Sequence, residues 1–390
     1  MPLFSGGQDL LSTKLQVHHS PQCGQCGLKN RPNTKMMDKV EGKGKREILV
    51  VLSMPTKTEN DTKKALNCEE GKYLEYILDD FDIDLKEDCW ITYSIRCHSK
   101  GCEEPNDKQI EWCRPYLASR SEGYGCIHTL KPKTIILFGD APVKSVLGWL
   151  WKEDTKKINR WAGKNIPCQS LNTWICPVWD MKYVIEESKK VPVVGMMWKK
   201  QLEKAFSHTE RPWKQKPDYK KEVKPITSPT EAIEYIQKII DVDKPTAWDI
   251  ETTTLKPDGP DARIVSCSMS NGDLTISYIW NGLTRKKTIE FLRSDIPKIG
   301  YNIKFETRYL KTVHNVDIKN WIWDGMIASH ILDNRPDTKS LKYQSFCLLG
   351  QDSYDDVVKP YFKSPSTGTF LLSSITYFIS HTGQIQVFKD

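Results

Sequence analysis

Two carboxylates one residue apart, Asp249 and Glu251, close an apolar run that reads Ala247-Trp248-Asp249-Ile250-Glu251-Thr252-Thr253. Strand alternation places both on one face. Crowded carboxylates repel unless a cation lies between them. A hard, oxygen-liganded ion such as Mg2+ or Mn2+ is the natural partner. Taken alone, the pair equally suits two solvated acids at a strand end. A third acid, Glu306, follows in Asn302-Ile303-Lys304-Phe305-Glu306. The second chemical feature is sulfur. The chain holds twelve cysteines in 390 residues and shows no signal-peptide pattern. In that context thiols favour a metal site over disulfides. Cys23-Gly24-Gln25-Cys26 has the two-residue gap that turns two thiolates toward one centre, and Cys97 and Cys113 lie far downstream. Four thiolates can hold structural zinc or an iron–sulfur cluster.

Around the acids, the pattern predicts a hairpin. Ile264, Val265, Cys267 and Met269 lead into the turn signal Ser270-Asn271-Gly272-Asp273, and Leu274, Ile276, Tyr278 and Trp280 alternate on the return. Ile303, Phe305, Tyr309 and Leu310 predict a helix opening just after Asn302, with Glu306 in its first turns. Trp323–Asp333 reads as an apolar helix. Ser228-Pro229-Thr230-Glu231 supplies an N-cap, a proline at N1 and a glutamate at N3, and Ile233, Ile236, Ile239 and Ile240 an apolar face. Residues 206–228 are basic and proline-bearing, which reads as an extended linker. The net charge of +7 is modest. Basic clusters at Lys156–Arg160, Lys199–Lys204 and Lys214–Lys224, beside Trp161, Trp198 and Trp213, could meet phosphates or be solvated faces. The linker is the strongest candidate to track a nucleic-acid strand. Glu59 and Asp61 read as solvated loop acids. No run is long and apolar enough to span a membrane.

With those segments in place, residues 245–380 resemble the 3′–5′ exonuclease domain of family A DNA polymerases, of the DEDD superfamily. Asp249-Ile250-Glu251-Thr252-Thr253 matches its first motif, and Asn302–Glu306 its second, with Glu306 in place of the usual Asp. The resemblance implies a ribonuclease H-like fold with a mixed sheet. It implies two divalent ions, Mg2+ or Mn2+, roughly 3.5–4 Å apart across the scissile phosphate. Asp249 would bridge them, Glu251 would bind one, and Glu306 would complete the other. Asp324, in Asp324-Gly325-Met326-Ile327, would be structural. The late Tyr-x-x-x-Asp motif corresponds to Tyr377-Phe378-Ile379-Ser380-His381. Tyr377 would be catalytic, and His381 stands where the fourth carboxylate should be.

Residues 20–205 resemble iron–sulfur uracil-DNA glycosylases. The resemblance runs through Cys23–Leu28, Ile48–Leu52, Gly71–Leu74, Trp90–Cys97, Glu111–Leu117 and Lys133–Ala141. It implies a three-layer α/β domain with a parallel central sheet and a [4Fe-4S] cluster on Cys23, Cys26, Cys97 and Cys113, with Zn2+ as the alternative. The family's catalytic motifs are replaced by Leu52-Ser53-Met54-Pro55-Thr56, Tyr93-Ser94 and Trp179-Asp180-Met181, so base excision is not expected. The expected organisation is an N-terminal extension (1–19), the glycosylase-like domain (20–205), the linker (206–228) and an exonuclease-like domain (229–390), truncated or frame-altered at its C-terminal end. That layout resembles the N-terminal part of phage-type family A polymerases. The expected function is a cytoplasmic proofreading exonuclease acting on single-stranded DNA 3′ ends and primer–template DNA, with a polymerase domain or subunit as partner. The alternatives are a non-catalytic DNA-binding module and a glycosylase with a divergent site.

Overall fold

The computed structural model describes residues 22–99, 104–118, 125–151 and 154–351. The chain divides into two compact units, 1–214 with 345–352, and 215–344 with 353–390. Tyr377 and His381 lie outside the described residues.

The first unit is built on strands β1 (Ile48–Leu52), β2 (Cys89–Tyr93), β3 (Thr134–Phe138), β4 (Ile166–Cys168) and β5 (Thr173–Val178), in the order β2-β1-β3-β5-β4. β1 pairs in parallel with β2 and β3, and β3 with β5. β4 runs antiparallel to β5, so the sheet expected to be parallel is mixed at one edge. Every residue of β1 and β3 is buried, as befits continuous apolar strands covered on both faces. Ile48, Val50, Ile136 and Phe138 share one cluster with Leu74 and Leu78 of helix α2 (Glu69–Asp79), Val184 of α5 (Met181–Ser188), and Trp198 and Leu202 of α6 (Val193–Phe206). Three further helices matter below: α1 (Lys57–Thr62), α3 (Asp107–Cys113) and α4 (Asp140–Leu150).

Glu59 of α1 is not a solvated loop acid. It is 2% exposed, and its carboxylate accepts from Thr56 N (2.7 Å), Leu66 N (2.6 Å) and Tyr93 Oη (2.7 Å). Part of the expected linker is also occupied. Arg211 donates to the carbonyls of Lys131, Pro132 and Asn172, and Trp213 Nε1 to that of Pro167 at 2.7 Å. These side chains fasten the segment to its own unit and are not free for a phosphate backbone.

The second unit carries β6 (Val223–Ile226), β7 (Thr246–Thr252), β8 (Ile264–Ser270), β9 (Thr275–Ile279), β10 (Lys298–Gly300) and β11 (Trp321–Asp324), in the order β11-β10-β7-β8-β9-β6. β7, β8 and β9 form an antiparallel meander. β10 lies parallel to β7, and β11 parallel to β10. That strand order and direction is the ribonuclease H-like arrangement, with β6 added at the edge. The β8–β9 hairpin turns at Gly272 (φ 86°), where Asn271 Oδ1 accepts from the Asp273 and Leu274 N–H groups. β6 lies within the segment read as a linker. Its Pro225 removes an N–H, which an edge strand tolerates. Helix α7 (Pro229–Val242) begins as its capping residues predict, with Ser228 Oγ accepting from Glu231 N. Helices α8 (Gly282–Arg293), α9 (Ile303–His314) and α10 (Gly325–Leu332) complete the set. Trp323 and Asp324, read as the start of an apolar helix, instead close β11.

Candidate active site

β7 sorts its side chains by alternation. Trp248 and Ile250 enter the core with Cys267, Met269, Ile276, Tyr278, Tyr309 and Leu310. Asp249 and Glu251 therefore share the opposite face. Their cross-strand neighbours on β8 are Ser268 and Ser266, small residues that leave room beside the acids. Glu306 sits in the first turn of α9, 3% exposed, near enough to Asp249 for each carboxyl to influence the other. The three sequence-predicted acids thus converge, with Asp249 between the other two.

Electrostatics mark the cluster as incomplete. Burial pushes the Asp249 carboxyl above its ordinary range. Glu251, though accessible to solvent at its surface, is pushed up by the protein crowded around its carboxyl and by the Asp249 charge. Glu306 is raised by burial and by Asp249. Its Oε2 is buried without a hydrogen-bond partner. A proton held on one of these acids would relieve this crowding, and so would a divalent cation. Among the described residues, no three His, Cys, Asp or Glu side chains are gathered round a single-ion position. The donor set nevertheless fits hard cations, because it is all oxygen and holds an orphaned carboxylate oxygen.

Asp324 determines where Glu306 stands. Asn302 precedes α9 in the left-handed region (φ 67°) and offers no side-chain cap of its own. Asp324 supplies it from β11. One carboxylate oxygen accepts from Asn302 N (2.9 Å) and from Met326 N (2.9 Å), and the other from Ile303 N (3.0 Å). A single acid therefore caps its own helix, α10, and the helix that presents Glu306. Gly325 follows it because a Cβ there would lie 2.6 Å from the Tyr301 ring. Sequence reading expected a structural Asp324 but gave no partner for it.

Residues 223–362 match a family model described as 3′–5′ exonuclease. This part of the chain is a 3′–5′ exonuclease domain. Similar solved structures include Escherichia coli RNase D, an exoribonuclease involved in structured RNA processing (12% identity, TM-score 0.32, covering 41% of this chain and 41% of that one). Others are Brucella melitensis NrnC with bound Mg2+ (20%, 0.28, 35% and 66%) and Trypanosoma brucei RNase D in complex with RNA U12 (11%, 0.31, 41% and 59%). The chain spans less than two thirds of the length of each of these three. No curated protein matches it. Outside the exonuclease domain, no described helix is long and apolar enough to cross a membrane, and none within it is either.

The predicted cysteines also converge, in the first unit. Cys23, Cys26, Cys97 and Cys113 line one cavity with Leu28, Met36 and Ile95. Cys23 and Cys26 come from a turn that is tied to α3 by Gln109 Nε2 donating to Cys26 O at 3.2 Å. Cys97 follows β2, and Cys113 ends α3. Burial pushes the Cys97 thiol up to about 12, and the Cys113, Cys23 and Cys26 sulfurs add to that rise. Burial likewise pushes Cys113 up to about 11, opposed by the Arg96 N–H and charge. Four thiols in an apolar pocket fit a soft, thiolate-bound centre. Among the described residues, no three His, Cys, Asp or Glu side chains are gathered round one metal position here either. Sequence reading missed Arg96 in this cavity. The visible signal was a charged residue inside the apolar run before Cys97.

Proposed function

We propose that the chain is a metal-dependent 3′–5′ exonuclease that trims single-stranded DNA ends in association with a replicative polymerase. The observation that carries this reading is the meeting of Asp249, Glu251 and Glu306, raised and short of a counter-charge, inside the exonuclease domain. Two divalent ions bound there would supply an activated water and neutralise the leaving 3′ oxygen. In this reading Asp249, which influences both other acids, would be shared between the two ions. Glu251 is the more accessible flank, and Glu306 the buried one. Tyr377 and His381 are proposed to complete the site.

The reading extends to the first unit. We infer a glycosylase-like DNA-binding domain with a [4Fe-4S] cluster on Cys23, Cys26, Cys97 and Cys113 and no base-excision activity. The parallel order β2-β1-β3-β5 and the shared cysteine cavity support it. Glu59, the acid closest to the replaced catalytic loop, has its oxygens committed to three donors, which argues against a water-activating role. In this reading the first domain runs to about Lys214, and the second already includes β6, which shortens the linker expected at 206–228.

A 5′-labelled single-stranded oligonucleotide incubated with Mg2+ or Mn2+ tests the central claim. Stepwise shortening from the 3′ end is expected. Equal behaviour of wild type and an Asp249→Ala, Glu251→Ala control would sink it. Parallel RNA and DNA substrates decide the sugar preference, and iron and sulfide analysis decides the cluster.

A further inference from the structure

Arg96 is 4% exposed and lines the cavity of the four cysteines. Its Nη1 donates to Asp38 O (2.9 Å) and its Nη2 to Tyr116 O (3.4 Å). The guanidinium lies over the Tyr116 ring, 4.7 Å from its centroid. Its Nε has no hydrogen-bond partner, and it forms no ion pair among the described residues. An arginine stays charged in any protein environment. A buried charge without a counter-charge is strongly unfavourable. Among the described residues, the groups its charge reaches are thiols: Cys113 and Cys126, with Cys23, Cys26 and Cys97 in the same cavity as Cys113, and four thiolates around a metal leave the centre net negative.

We propose that Arg96 is the built-in counter-cation of the thiolate centre: it holds the loaded centre in place and sets its reduction equilibrium. This rests on the cluster reading given above. Arg96 is a positioning and charge-balancing residue and is not a ligand, since a guanidinium has no free electron pair to give. The net charge of a cluster and the hydrogen bonds to its sulfurs set its potential. Removing a nearby positive charge therefore destabilises the more negative, reduced form. The same change loosens the cluster altogether. Structural support alone would act differently, because the bonds to Asp38 O and Tyr116 O need donors but no charge.

The test uses the full chain purified without oxygen, with Arg96→Lys, Arg96→Gln and Arg96→Met. Iron and acid-labile sulfide are counted first. The rate of iron release to a chelator and the midpoint potential follow. Wild type and Arg96→Lys are expected to release iron at similar rates. Arg96→Gln and Arg96→Met should release it at least about tenfold faster, because the buried negative centre loses its counter-charge. Their reduction equilibrium should fall about tenfold, which is 59 mV for one electron. Arg96→Gln matching wild type, or Arg96→Lys failing as badly as Arg96→Met, overturns the proposal. Should Arg96→Met not fold, the Lys and Gln pair still decides between charge and hydrogen bonding. Wild type with neither iron nor sulfide refutes the cluster reading itself, an outcome distinct from any ranking of the variants.

Discussion

The carboxylate cluster and the cysteine cavity pose one physical problem in two forms. Each gathers groups that are anionic when they bind metal. Among the described residues of the exonuclease domain, the influences on Asp249, Glu251 and Glu306 are burial, backbone, one another and, for Glu306, Asp324, with no lysine or arginine among them. In the first unit Arg96 stands in the cavity wall. The difference suits two kinds of centre. A site that must take up ions together with a substrate phosphate keeps its charge deficit open. A site that keeps its metal permanently can afford a fixed partner. Glu59 sharpens the contrast from a third direction. Its carboxylate meets three donors within 2.7 Å, whereas Glu306 leaves an oxygen unpaired. Satisfaction of every oxygen marks the structural acid, and an orphaned oxygen marks the functional one.

The largest effect expected is the separation of the two centres. Asp249→Ala should lower the rate of 3′ shortening by about a thousandfold, since metal-borne charge stabilisation is worth several kcal/mol and each 1.36 kcal/mol is tenfold. Its iron content should equal wild type. Cys97→Ser should do the reverse, losing the visible absorbance of the cluster while 3′ shortening continues. Loss of both properties in either variant would break the division into an open-charge site and a balanced one.

Next in size is Asp324, which acts on the open site from outside it. Asp324→Asn keeps the shape but replaces one acceptor oxygen with a donor facing N–H groups. Groups that orient metal ligands typically contribute 10–100-fold. A fall in 3′ shortening of about that size is expected, together with higher Mg2+ demand. An unchanged Mg2+ requirement would show that Asp324 stabilises α10 without positioning Glu306.

These cases also show what can be read along a chain. The Asp-x-Glu alternation, the Asn271-Gly272 turn and the Ser228-Pro229 helix start are local, and the residues that make them sit within a few positions of each other. Asn302 as the entry to α9 is local as well. Asp324 capping a helix that begins some twenty residues earlier is not. Neither is the docking of Arg211 and Trp213, in a stretch whose lysines and prolines look like a tether. β6 was hidden for the same reason: Val223–Ile226 carries Lys224 and Pro225, a composition against a strand that only its edge position beside β9 permits. Four cysteines can be counted from sequence, but their common cavity and its arginine exist only after folding.

Glu59→Gln tests the structural acid. It keeps the volume and one acceptor oxygen but places an amide against backbone N–H donors. Burying mismatched polar groups costs about 1–3 kcal/mol. Thermal unfolding of the first unit should shift down accordingly, with no change in 3′ shortening. A loss of shortening with stability intact would instead give Glu59 a functional part and remove the contrast with Glu306.

The smallest effect is a slope with pH, and its sign follows from the raised carboxyls. Asp249, Glu251 and Glu306 have folded values above their ordinary 3.8 and 4.5. An acid raised on folding binds more protons in the native state than in the unfolded one, so stability falls as pH rises through that window. The stabilising share is full below the unfolded values and is lost as pH climbs through the raised ones. Metal-free protein should therefore unfold at progressively lower temperature from mildly acidic to mildly alkaline pH. Divalent ions replace the proton as counter-charge, so saturating Mg2+ or Mn2+ should flatten the slope. Glu306→Gln should flatten it without metal, because one raised carboxyl is removed and Asp249 loses a crowding neighbour. The cysteine cavity predicts no such slope over the same range, since burial holds the Cys97 and Cys113 thiols up at about 12 and about 11. A slope that persists unchanged in Glu306→Gln would place its origin outside the carboxylate cluster and leave the open site without its thermodynamic signature.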